Sequence, residues 1–263
     1  MSHDDTSNSG ADGVSATVPL RDLRNAHANV TVAETKPQVP LRPLFSTHPA
    51  KNYAYHLLAL HAAELKPNKV LDAGCGELRN LRHFSGGYVG ITLQAMFYFS
   101  GLERPENQDW IRTNGQPLAY IVPLESDFSS VGAFDLCICT NTLSCVETKK
   151  DIVTRLAERV NTQGSLIVSD ERESLPDVLD ALSPAFTSLT LIYYGSERTN
   201  RFEPDSSTSF ALSLEEMNAS NTPAGHSHFY VLATGKKFEA SPSAPSLKIP
   251  LRGNLYVIQN TQL

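Results

Sequence analysis

The run Val70-Leu-Asp-Ala-Gly-Cys-Gly-Glu-Leu-Arg-Asn joins an acid to two glycines spaced G-x-G. Glycine lets the backbone turn sharply and lets a ligand come close to it. Asp72, at the end of the apolar run, can accept hydrogen bonds from a cationic or hydroxylated ligand. G-x-G alone also fits an ordinary tight turn. His226 and His228 open a later apolar run, and on a strand this alternation puts them on one face. With Glu147, His48 and Tyr193 they are the side chains able to take a proton from an acceptor group. A pair of polar edge residues is the competing reading of the two histidines. Their spacing names no third ligand, so no metal is expected. Of the four cysteines, Cys137 and Cys139 alternate within an apolar run and are expected as buried reduced thiols.

These residues need a scaffold, and the body reads as alternating strand and helix. A helix is expected over 50–65, ended by Pro67 and Asn68. Strands are expected at 69–74, 88–92, 119–123, 134–140, 164–169, 188–194 and 228–234. Helical turns are expected at 77–84, 94–103, 150–160 and 176–182. Strands spaced by helices imply a mostly parallel sheet covered on both faces. The last two strands have no clear helix between them and are expected as an antiparallel edge pair. Open sheets of this kind bind ligands beyond the carboxyl ends of their strands, where Asp72, Gly74 and Gly76 fall.

The ends differ from the body. Residues 1–45 are polar and then proline-spaced, and read as a flexible tail. Residues 239–263 form an extension whose Leu255-Tyr-Val-Ile is expected to dock as a strand. The body is 46–238. Residues 196–225 form a polar loop long enough to be functional, and its Arg198 and Arg201 would suit an anionic acceptor if turned inward.

Charge narrows the function. Lys plus Arg is 22 and Asp plus Glu is 28, giving a net charge of −6, which argues against a nucleic-acid partner. Hydrophobic residues are 41% and charged residues 19%, as in soluble globular proteins. No apolar run nears the ~18 residues of a membrane span. Met-Ser-His-Asp-Asp lacks a secretory signal's basic region and apolar core, so a cytoplasmic protein is expected.

Val70–Asn80 resembles motif I of the class I S-adenosylmethionine-dependent methyltransferases, an acid followed by Gly-x-Gly-x-Gly. Asp72, Gly74 and Gly76 match, and Leu78 replaces the third glycine. Phe134-Asp-Leu-Cys-Ile-Cys-Thr-Asn-Thr-Leu-Ser-Cys-Val resembles the family's fourth strand and following turn. Residues 150–170 resemble its next helix, glycine turn and fifth strand. The resemblance covers about 50–237. It implies a Rossmann-like fold with a seven-stranded, mostly parallel sheet, helices on both faces and an antiparallel last strand.

It also implies a cofactor, S-adenosylmethionine, and places for its parts. Asp72, Gly74, Cys75 and Gly76 would face the methionine portion. Thr92 stands where the family usually has an acid for the ribose hydroxyls, with Gln94 as the nearest substitute. Asp127 and Phe128 would meet the base. Asn141 and Thr142 would lie where cofactor and acceptor meet, and Cys145 stands near a position that is often histidine.

Methyl transfer is a displacement from a sulfonium, which chiefly requires alignment in a dry site. A small-molecule acceptor is expected, methylated on oxygen or nitrogen, with His226, His228 and Glu147 as the catalytic candidates. A protein side chain is the second choice. Thr140-Asn-Thr-Leu does not match the Asn/Asp-Pro-Pro-Tyr/Phe of the DNA amino-methylating branch. Thr92, Leu78 and Cys145 motivate an alternative, a methyltransferase-like protein without catalysis that binds a partner. The tails are the segments open to a protein partner or a second copy.

Overall fold

The apolar runs become strands buried on both faces, as parallel strands between helix layers must be. In the computed structural model, which describes residues 30–32, 49–194, 228–237 and 256–258, β1 is Val30–Val32 and α1 is Pro49–Leu65. Next come β2 (Lys69–Ala73) and β3 (Gly87–Thr92), each exposing only its first residue. Two helices follow, α2 (Ala95–Glu103) and α3 (Pro105–Asn114), then β4 (Leu118–Ile121) and β5 (Phe134–Thr140). The rest is α4 (Lys149–Glu158), β6 (Val160–Glu171), α5 (Leu175–Ala185), β7 (Phe186–Tyr194), β8 (His228–Lys236) and β9 (Tyr256–Ile258).

One sheet holds every described strand, in the order β1-β7-β8-β6-β5-β2-β3-β4-β9. From β2 the chain moves outward through β3 to β4, then returns to the other side of β2 as β5. The reversal lies between β2 and β5, where Asp72 pairs in register with Ile138. Crevices at such reversals are where open α/β sheets bind ligands. Cores lie on both faces. Leu71, Ala73, Cys137 and Cys139 pack toward Ile152 and Leu156 of α4 and Leu179 of α5. Val70, Leu136 and Ile138 pack toward Leu57 and Leu58 of α1 and Tyr98 of α2. Both strand cysteines are buried free thiols, and burial holds them protonated.

Four expectations need correction. Residues 77–84 form no α-helix; Leu78 sits at φ 55°, and successive tight turns lead into a 3-10 turn at Leu81–His83. A left-handed residue breaks the α-helical ladder before it starts. The helix α3 was not expected, because only Trp110 and Ile111 on it pack against the core. The pair β7 and β8 is antiparallel, but β8 is not an edge; it inserts between β6 and β7, antiparallel to both. Its apolar run is buried over its first half, as an interior strand requires. Finally, the sheet extends beyond seven strands. Val30–Val32, within the expected tail, pairs parallel with β7, and Tyr256–Ile258 pairs antiparallel with β4 as the docking expectation held.

Candidate functional site

The turn after β2 is built on left-handed backbone. Gly74 has φ 84° and Gly76 φ 46°. The Gly74 and Cys75 amides both donate to the Ile91 carbonyl, at 2.8 and 2.9 Å. A Cβ on Gly74 would lie 2.2 Å from Thr142 Oγ1, so the turn abuts the chain leaving β5. Among the described residues, a Cβ on Gly76 would meet only the Gly74 carbonyl, at 3.9 Å. Of the described residues, none therefore covers the Gly76 face of the turn. Cys75 turns the other way, with its sulfur against Gly90.

Leu78 explains how the turn survives without its third glycine. The side chain is fully buried, and α2 makes room for it with Gly101, whose own Cβ would fall 2.9 Å from Leu78 Cγ. Asn107 of α3 donates to the Leu78 carbonyl at 3.2 Å and to Gly101 at 2.9 Å, tying the turn to both helices. Glu77 accepts from Arg104 and, at 3.0 Å, from Arg79. The Arg104 hydrogen bond above all holds its carboxyl below the usual range.

Beneath the turn lies a buried polar cluster. Asp72 is fully buried, and its Oδ2 accepts from the Tyr88 hydroxyl and from Asn80 Nδ2 at 3.1 Å. Asn80 also reaches Thr140 Oγ1 at 3.4 Å. Burial pushes the Asp72 carboxyl up to about 6 against the pull of these two hydrogen bonds. Tyr88 and Asn80 thus take Oδ2, while Oδ1 is buried without a hydrogen bond among the described residues.

Beyond β5, Asn141 takes φ 54° and donates its amide to the Ser169 carbonyl at 2.7 Å. Both polar atoms of its side chain are buried without a hydrogen bond of ordinary geometry. The Tyr55 hydroxyl of α1 lies against it. Burial raises the Tyr55 pKa, and the Arg79 charge opposes this. The next residues are anchored from β6. Asp170, nearly fully buried, accepts from Leu143 at 2.6 Å, Ser144 at 3.2 Å and Glu171 at 2.7 Å. Asp170→Asn removes the charge but keeps one acceptor, so it should lower stability by about 1–2 kcal/mol. Chemical denaturation measures this, and an unchanged midpoint would refute it.

The far side of the crevice is formed after β3 and β4. Thr92 is buried, and its carbonyl accepts from Val122 at 2.9 Å. Gln94 is exposed at the start of α2, beside the exposed Leu93 and Met96. After β4, Asp127 Oδ1 accepts from the Ser129 amide at 2.8 Å, which holds its carboxyl low. Phe128 is buried, with the Arg155 guanidinium 5.2 Å from its ring centre.

The structure thus groups Asp72, Gly74, Cys75, Gly76 and Asn141 at the reversal, with Thr92, Gln94, Asp127 and Phe128 along the neighbouring strand ends. Glu147 is exposed just before α4. His228 is buried at the start of β8, in register with Glu171 and Tyr194, and β6 and β5 separate it from β2. His226, His48 and the loop 196–225 lie outside the described residues. Tyr88, Asn80, Asp170 and Arg155 were not singled out from sequence, because each acts through a partner far along the chain.

Six parallel strands in the order β4-β3-β2-β5-β6-β7, with reversed β8 inserted before the last and helices on both faces, make this a Rossmann-like methyltransferase fold. No family model matches the sequence, and no curated protein does. Among solved structures the chain is similar to magnesium protoporphyrin IX methyltransferase from Synechocystis PCC 6803 with bound SAM. The identity is 13%, over 72% of this chain and 86% of that one, with a TM-score of 0.43. It is similar to the plantazolicin methyltransferase BpumL with a desmethylPZN analog and SAH, at 13% identity, 69% and 82% coverage and TM-score 0.40. It is also similar to StiE O-MT, at 14% identity, 72% and 76% coverage and TM-score 0.46.

Proposed function

We propose that this chain is an S-adenosylmethionine-dependent methyltransferase acting on an oxygen or nitrogen of a small-molecule acceptor, in the cytoplasm, with 46–238 as its catalytic domain. The observation that carries the reading is the turn itself. It lies at the sheet's reversal, its Gly76 face is open among the described residues, and the buried Asn141 side chain lies beside it with Tyr55 as its neighbour. These features fit a small ligand with an amino-acid end. The backbone at Gly74, Cys75 and Gly76 and the Asn141 side chain would hold that end. Thr92 and Gln94 would meet the ribose, and Asp127 and Phe128 the base. When bound, the cofactor supplies an electrophilic methyl group with a neutral leaving group. The chain's work is then alignment and exclusion of water. Where the acceptor must lose a proton, His226, His228 and Glu147 are the candidates to take it. Tyr55, kept protonated by burial, is not a base and can only orient a neighbour by hydrogen bonding.

Binding of S-adenosylmethionine and S-adenosylhomocysteine, followed by calorimetry, tests the reading. The control is Gly76→Asn, since Asn tolerates the left-handed region and its side chain would enter the open space. Micromolar binding weakened by roughly tenfold or more in the variant is the expected result. A second reading, a non-catalytic binding protein, is favoured by Thr92, which is buried where the family grips ribose with an acid. No binding by the wild type at millimolar ligand would support it and end the first.

A further inference from the structure

The chain between β4 and β5 bends so that its carbonyls turn toward α4. Arg155 gathers three of them. Its Nη1 donates to Ser126 at 2.7 Å and Glu125 at 3.1 Å, and its Nη2 donates to Leu124 at 3.1 Å. The same guanidinium sits over the Phe128 ring. One helical turn on, the largely buried Arg159 donates from Nη1 to the Ser129 carbonyl at 2.6 Å. Within the loop, the Asp127 side chain fixes the following bend through Ser129. The segment starts beside the end of β3, where Val122 bonds to Thr92. A surface loop normally leaves such carbonyls to water, and only a planar fork of donors can collect several at once.

We propose that Arg155, backed by Arg159, is a positioning residue that sets base selectivity by holding Leu124–Ser129, packed over the buried Phe128, in the shape that presents Asp127. This rests on the methyltransferase reading. A loop fixed at four carbonyls keeps the Asp127 carboxylate at one place, and a carboxylate there selects a base that donates an amino hydrogen. Adenine has that donor and hypoxanthine does not. Arg155 itself touches no ligand in this account.

The test compares S-adenosylhomocysteine with S-inosylhomocysteine on the full chain, by calorimetry, for wild type, Arg155→Met and Arg155→Lys. Methionine keeps the apolar stem and removes the fork, and lysine keeps the charge but cannot span three carbonyls. Wild type should prefer the adenine ligand by roughly tenfold, the discrimination of about one hydrogen bond. Both variants should bring the two affinities together by weakening the adenine ligand alone. Melting curves establish which variants are folded, and Arg155→Lys serves if Arg155→Met is not. A folded variant that keeps the preference, or a wild type that binds both ligands equally, overturns the assignment alone. A wild type that binds neither overturns the methyltransferase reading as well.

Discussion

Gly101→Ala should lower the melting temperature by roughly 5–10 °C, from a loss of about 2–3 kcal/mol. The added Cβ would lie 2.6 Å from the carbonyl carbon and oxygen of Glu77 and 2.9 Å from Leu78 Cγ. Two of those contacts are backbone, so no side-chain rotation relieves them. Either α2 moves away or the turn after Gly76 does. Either shift loosens the Asn107 bonds to Leu78 and Gly101. The variant should therefore also lose affinity for S-adenosylhomocysteine, because Glu77 follows Gly76 directly. Scanning calorimetry with and without ligand measures both effects. A variant with wild-type melting would mean that α2 does not press on the turn.

Asp72→Asn should make the protein less sensitive to pH. The folded Asp72 carboxyl has a pKa of about 6, above its ordinary 3.8, chiefly through burial. Its folded value is the higher one, so the favourable contribution is complete below pH 3.8. It is lost as pH rises through about 6. The loss amounts to about 3 kcal/mol, since each tenfold in acidity is worth about 1.4 kcal/mol. The neighbouring Tyr88, Cys75 and Tyr55 are all held protonated across this range and do not mask it. In the variant, the amide oxygen set in the place of Oδ2 still accepts from Tyr88 and Asn80, and the NH2 takes the place of Oδ1. The stability difference between variant and wild type should move in the variant's favour between pH 4 and pH 7. Denaturation midpoints across that interval decide it, and a constant difference would refute the assignment of the pH effect to Asp72.

The elements that were legible in the sequence are those whose own residues carry the signal. Leu166–Val168 is apolar at every step, and Val70–Ala73 and Phe134–Thr140 are broken only by Asp72, Asp135 and Thr140, as fits strands sandwiched between helix layers. The helix at 149–158 buries Ile152, Val153, Leu156 and Ala157 on one stripe. Gly74 and Gly76 marked the turn because left-handed backbone favours glycine there. What stayed hidden depends on pairs. Leu78 reads as the start of a helix until Gly101 is seen making room for it. Asp72 reads as a ligand contact, and the sequence does not show that Tyr88, from the next strand, and Asn80 share its Oδ2. Arg155 looks like the polar side of an amphipathic helix, and only the fold brings three loop carbonyls to it. His228 was placed correctly at a strand's start. Its distance from the turn follows from β8 slipping between β6 and β7, which no local pattern announces.

The two outermost strands impose an order of assembly. Val30–Val32 lies far ahead in the chain of its partner on β7, Leu189–Leu191. Tyr256–Ile258 lies far behind its partner on β4. Neither strand can pair until the intervening sheet exists, because closing so long a loop gains nothing until its partners are in place. By that argument the central strands should form first and the two outer described strands join last, leaving β7 and β4 as open edges until then, the point at which pairing with another chain would be easiest.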